Sequence, residues 1–190
     1  MIATSVRIVH GFAVVSPVFW PMIARFRNRS VDASLFRYAS VGLPLPSITA
    51  RLASDLRANP PRGIVAHSLG CVATLLAVRH VGWTGPIVLL APPFQTLPIT
   101  RFIPRFLRFP FSPLLDLRAM TTAAGYTPPL PDNCKILTIA GRFDTSVPLD
   151  CTRCNSIDAH RTIDATHNSM LFSIAVADAC CDWLRSHDGG

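Results

Sequence analysis

Ser68 stands between a short apolar run, Ile64 to Ala66, and an apolar segment from Cys71 to His80, with Gly70 two positions after it. A serine hydroxyl in such a place can act as a nucleophile. The chain must turn sharply there, lift Oγ clear of the strand end, and aim the N–H groups of the following helix at developing negative charge. Ala66-His67-Ser68-Leu69-Gly70 has the small residues this nucleophile elbow needs, with Ala66 where a glycine is the commoner choice. The same residues also fit an ordinary helix cap. Thiols are candidates for metal or redox chemistry: Cys71, Cys134, Cys151, Cys154, Cys180 and Cys181. Cys151 and Cys154 form a C-x-x-C, but a closed zinc site needs four ligands and the adjacent Cys180 and Cys181 lack the spacing of a second pair. Reduced thiols filling core and surface positions are expected, with no metal or organic cofactor.

The elements that must hold Ser68 alternate. Val6 to Val9 reads as a strand ended by His10-Gly11, followed by a helical segment from Trp20 to Phe26. Leu35 to Tyr38 is a second candidate strand. Ser47 then offers a cap for a helix whose Ile48, Leu52 and Leu56 recur at four-residue steps until Pro60-Pro61. Ile64 to Ala66 and Ile87 to Ala91 are further short strands around the Cys71 to His80 helix. Lys135 to Ala140 and Ile157 to Ile163 resume the pattern, and an amphipathic helix over Met170 to Leu184 closes it. Parallel strands require crossovers, so this order predicts a parallel sheet with helices on both faces. Between Pro92 and Asn133 the alternation fails, since 9 of the 17 prolines and 5 of the 11 phenylalanines lie there.

Composition narrows the partners. The 190 residues are 49% hydrophobic and 15% charged, enough apolar material for a full core and too little charge for disorder. Ile8 to Ala24 is apolar but interrupted by His10, Gly11, Pro17 and Pro21, and no run of about 20 apolar residues follows. A soluble, cytoplasmic protein is expected. The net charge of +7 comes from 18 basic residues, all Arg except Lys135, scattered without a basic block. That pattern argues against a nucleic-acid partner.

Taken with the His10-Gly11-Phe12 strand end, Ala66-His67-Ser68-Leu69-Gly70 resembles the α/β-hydrolase fold family, and in particular its compact lipase and esterase members. The resemblance covers most of the chain outside residues 92–133. It implies a reduced version of that fold: one domain over residues 1–190, a mainly parallel sheet of about six strands, and a cap or lid inserted at about 92–133. The family's usual antiparallel hairpin before the first H-G strand has no room, because His10 is reached after nine residues. The resemblance also implies an oxyanion hole formed by the backbone N–H groups of Phe12 and Leu69, in a loop supported by His10, Gly11 and Gly70.

The remaining members of a triad should follow in the order acid, histidine, each after a strand. Asp144, in Ala140-Gly141-Arg142-Phe143-Asp144 before Val147-Pro148, resembles the family's G-x-x-D loop. It would orient the imidazole, with Asp150 the nearest rival. His167, in Thr166-His167-Asn168-Ser169-Met170-Leu171, resembles the family's H-x-x-M-L ending and would serve as base, then acid. His67 is expected to point into the support of the elbow, while His80, His160 and His187 lie on a helix end, a strand and the tail.

Within the insertion, Arg101, Arg105 and Arg108 share helical spacing, as do Phe102, Phe106 and Phe109. Pro104 limits any helix to short pieces, and Ser112-Pro113 can start another through Leu117. Such a cap would receive an acyl chain or touch an anionic membrane peripherally, or it would simply pack Phe inward and leave Arg solvated. The expectation is an esterase or lipase-like serine hydrolase acting on a small ester or lipid-like substrate through an acyl-enzyme. A noncatalytic protein that uses the same scaffold to grip a ligand or partner is the alternative.

Overall fold

The structure is a computed structural model and describes residues 4–104 and 107–187. Six strands, β1 (Thr4–Val9), β2 (Val31–Phe36), β3 (Gly63–His67), β4 (Gly85–Leu90), β5 (Cys134–Gly141) and β6 (Ala159–Ile163), pair in parallel in the order β2-β1-β3-β4-β5-β6. Five helices connect or follow them: α1 (Trp20–Asn28), α2 (Leu45–Ala58), α3 (Leu69–Val81), α4 (Arg108–Thr121) and α5 (Ile174–Ser186).

Side chains alternate across the sheet and build a core on each face. Ile64, Ala66, Ile87 and Leu89 point to the layer of α2 and α3, where Leu52, Leu56, Leu75 and Val78 meet them. Val65, Val88, Leu90 and Ile139 point the other way, to Phe19, Met22 and Phe26 at α1 and to Val176, Cys180 and Leu184 of α5. Arg25 of α1 and Asp178 of α5 add a bidentate pair at 2.9 and 2.8 Å across the helix seam. All the central strands are buried on both faces, which is why they read as continuous apolar runs.

Several elements differ from their sequence reading, among them the last helix, which starts at Ile174 after the short turn Ser169–Phe172 instead of at Met170, and β6, which starts at Ala159 instead of Ile157. β2 lies at Val31–Phe36, earlier than Leu35 to Tyr38. Val31 and Ala33 face inward between the polar Asp32 and Ser34, and Tyr38 has already left the sheet. α2 begins at Leu45 without a cap from Ser47. Pro46 presets the first turn, and the carboxylate of Asp116 on α4 accepts the Leu45 N–H at 2.9 Å. α4 is one helix of 14 residues with Pro113 inside it. Because Pro113 is only six residues into the helix, the bond it removes is the one to Phe109, beside the helix start. Arg105 and Phe106 lie outside the described residues. No helix among the described residues is long and apolar enough to cross a membrane.

The strand order reverses direction between β1 and β3, so their C-terminal ends flank a crevice of the kind where open α/β sheets bind ligands. His10 follows β1 and Ser68 follows β3 at that point.

Candidate active site

Ser68 occupies the turn between β3 and α3 with φ +55° and ψ −125°, a region costly for a residue with a side chain. The turn is held from both sides: the Ser68 N–H donates to the Leu90 carbonyl at 2.8 Å and its own carbonyl accepts from Cys71 N–H at 2.9 Å. Two glycines let the His10 loop close on it. A methyl on Gly11 would stand 2.9 Å from Ser68 Cβ, and one on Gly70 would stand 2.4 Å from the His10 carbonyl oxygen. Ala66, by contrast, is buried in β3 with room for its methyl.

His167 reaches Ser68 from the connection after β6. Its Nε2 lies 3.0 Å from Ser68 Oγ, and its Nδ1 lies 2.7 Å from Asp144 Oδ2. A carboxylate only accepts, so Nδ1 carries the proton and Nε2 of the neutral ring is left to accept from the serine hydroxyl. Asp144 is fixed in turn. Its side chain is fully buried, and Oδ1 accepts the N–H groups of Ser146 and Val147 at 2.9 and 2.8 Å. The acid and histidine loops touch at Gly141, where a methyl would stand 2.5 Å from the Ala165 carbonyl oxygen.

The rivals are elsewhere. Asp150 is exposed on the short turn Leu149–Thr152. His160 Nδ1 meets Thr138 Oγ1 at 2.7 Å, and His187 packs on Trp183 at a tilt of 35° with centroids 4.0 Å apart. Among the described residues no group of three or more His, Cys, Asp or Glu side chains is placed to hold a metal ion.

Leu69 is the first residue of α3, where a backbone N–H has no acceptor within the helix, and Phe12 follows Gly11 in the loop facing Ser68. That loop has supports the sequence did not announce. The ring of His10 is buried and stacks on Tyr38 at 4.0 Å and 10°. Its Nδ1–H donates to the Gly11 carbonyl at 2.9 Å, and the Tyr38 hydroxyl donates to the His10 carbonyl. Burial pushes the His10 pKa down and that of Tyr38 up, so both stay uncharged. Ser40 Oγ accepts the N–H of Ala13 at 3.0 Å. Tyr38 is half-buried, and a tyrosine hydroxyl drawn into the protein needs a partner that the sequence does not name.

Large apolar side chains are exposed at the end of the sheet that carries this site. Ten large hydrophobic side chains are exposed among the described residues: Val15 and Trp20 after β1, Val41 after β2, Ile99, Phe102, Leu107 and Phe109 after β4, Phe143 after β5, and Phe172 and Ile174 after β6. Every one lies in or at the end of a connection leaving the C-terminal end of a strand, the edge that carries Ser68.

No protein-family model matches the chain, and no curated protein matches it in sequence. Solved structures match it over nearly its whole length. The ydeN gene product from B. subtilis superposes with a TM-score of 0.75 at 21% identity, over 96% of this chain and 99% of that one. The esterase domain of a Rhodothermus marinus protein gives a TM-score of 0.68 at 13% identity, over 98% of this chain and 88% of that one. An extracellular alpha/beta-hydrolase from a Paenibacillus species gives 0.66 at 11% identity, over 95% and 99%. The chain has the α/β-hydrolase fold. Its sheet has six parallel strands, and the segment between β4 and β5 carries α4.

Proposed function

We propose that this chain is a serine hydrolase that cleaves carboxylic esters through an acyl-enzyme intermediate. The observation that carries the reading is the continuous chain of short contacts from Ser68 Oγ to His167 Nε2, and from His167 Nδ1 to a buried Asp144. Ser68 Oγ attacks the ester carbonyl carbon as its proton passes to His167 Nε2. The Phe12 and Leu69 N–H groups donate to the oxyanion, an arrangement in which one lost donor costs about 2.7–4 kcal/mol. Collapse expels the alcohol, which takes the proton from His167, and water repeats the sequence to release the acid. Asp144 keeps the imidazole in the needed tautomer and stabilises its cation.

The apolar rim supports an ester with a substantial hydrocarbon part, and the insertion over residues 92–133 would cover that part as a cap. The same rim, on a chain of net charge +7, suits peripheral contact with a lipid surface. A fluorophosphonate probe tests the central claim. Covalent labelling of the wild type, abolished in Ser68→Ala with the fold retained, supports a hydrolase; an unlabelled wild type favours a noncatalytic binding protein on the same scaffold.

A further inference from the structure

His67, the residue before the elbow serine, is fully buried, and its Nε2 lies 3.0 Å from the backbone carbonyl oxygen of His167. The two imidazole rings lie 4.6 Å apart at 44°, and Phe19 closes the other side edge-on at 6.4 Å. Among the described residues its Nδ1 has no hydrogen-bond partner, and it lies 3.2 Å from where a methyl on Gly11 would stand. We infer that His67 is a positioning residue, whose imidazole anchors the backbone of His167 and so fixes the distance from that ring to Ser68.

Packing alone does not account for a histidine here. A carbonyl only accepts, so the Nε2–H donates to it and Nδ1 keeps a buried lone pair with no donor among the described residues. Desolvation, with the nearby His167 ring adding to it, pushes the His67 pKa to about 3, so a second proton does not relieve that lone pair. An unsatisfied buried acceptor is expensive to keep, and a phenylalanine or leucine would fill the space without one. What the polar ring adds is the bond to His167. Asp144 holds the His167 ring, and the backbone bonds beside it hold its neighbours: Phe143 N–H on the Ala165 carbonyl at 3.1 Å, and Thr166 N–H on Ser169 Oγ at 2.8 Å. His67 therefore ties the base to the residue covalently joined to the nucleophile, and a neutral ring does so without repelling the imidazolium that forms during turnover.

This inference rests on the triad reading, and the test separates the two. The rate of fluorophosphonate labelling of Ser68 and the thermal midpoint are measured for the wild type, His67→Phe, His67→Leu and His67→Gln. Removing the donor should slow labelling about ten- to a hundredfold through misplacement of the base, with the midpoint unchanged or raised. His67→Gln, which keeps an N–H, should recover most of the rate. If Phe or Leu does not fold, His67→Met fills the same volume more adaptably and is read in the same way. Labelling of a folded donorless variant at the wild-type rate overturns the positioning role alone, as does a loss that His67→Gln does not reverse. An unlabelled wild type overturns the triad reading and this role with it.

Discussion

Gly70 presses against the end of β1 so closely that a methyl group on it would stand 2.4 Å from the carbonyl oxygen of His10 and 2.7 Å from that of Val9. Both neighbours are backbone, which cannot swing aside as a side chain can. Gly70→Ala should therefore destabilise the protein by about 1–3 kcal/mol through overpacking and push the His10–Phe12 loop away from Ser68. Urea titration together with the labelling rate checks this; a fully stable, fully reactive variant would show that the two segments are not in contact.

Asp144→Asn should lower kcat by about 10⁴ while leaving the fold intact. The amide keeps one oxygen for the Ser146 and Val147 N–H groups, so its NH₂ faces His167 Nδ1 and favours the wrong tautomer. Asp150→Asn, on an exposed turn, should change kcat less than twofold, about 0.4 kcal/mol by transition-state arithmetic. Steady-state hydrolysis of a soluble ester decides the matter, and the reverse ranking would reassign the acid.

Stability should fall with acidification through His67. Its pKa is lowered to about 3 in the folded chain, so below the unfolded histidine value of about 6.5 the unfolded state binds the extra proton. The contribution is complete above pH ~6.5 and is lost as the pH drops toward ~3, at up to about 1.4 kcal/mol per pH unit. Chemical denaturation at several pH values should show this slope in the wild type and a shallower one in His67→Phe. Equal slopes would place the acid sensitivity elsewhere.

Phe102 and Phe109 are 79% and 81% exposed, so replacing both with Ser should cost little stability. If their role is to receive substrate, kcat/KM for long-chain esters should drop far more than for acetyl esters, since each buried methylene is worth about 0.8 kcal/mol. Equal losses on both would count against the apolar-substrate reading.

The sequence made the turn at Ser68, the glycines around it and the strands β3, β4 and β5 readable, because tight turns and doubly buried strands restrict residue type locally. The order in which Asp144 and His167 follow their strands was readable too, and the fold brings both within hydrogen-bonding reach of the serine system. The long-range supports escaped. Tyr38 reaches His10 across 28 residues, Asp116 caps α2 across 71, and His67 reaches the His167 carbonyl across 100. No local pattern encodes such pairs. β2 was misplaced because its alternation runs through the short side chains Asp32, Ala33 and Ser34, which carry little hydropathy contrast.

The seam between α1 and α5 joins parts of the chain that are synthesised far apart, with Arg25 and Asp178 separated by 153 residues. On the ribosome, the face of α1 bearing Met22 and Phe26 therefore waits for most of the chain before its helical partner emerges. His167, 99 residues after Ser68, is synthesised just ahead of that partner. A nascent chain stalled before β6 would present Ser68 without its contact to His167, with the side of α1 that faces α5 still uncovered.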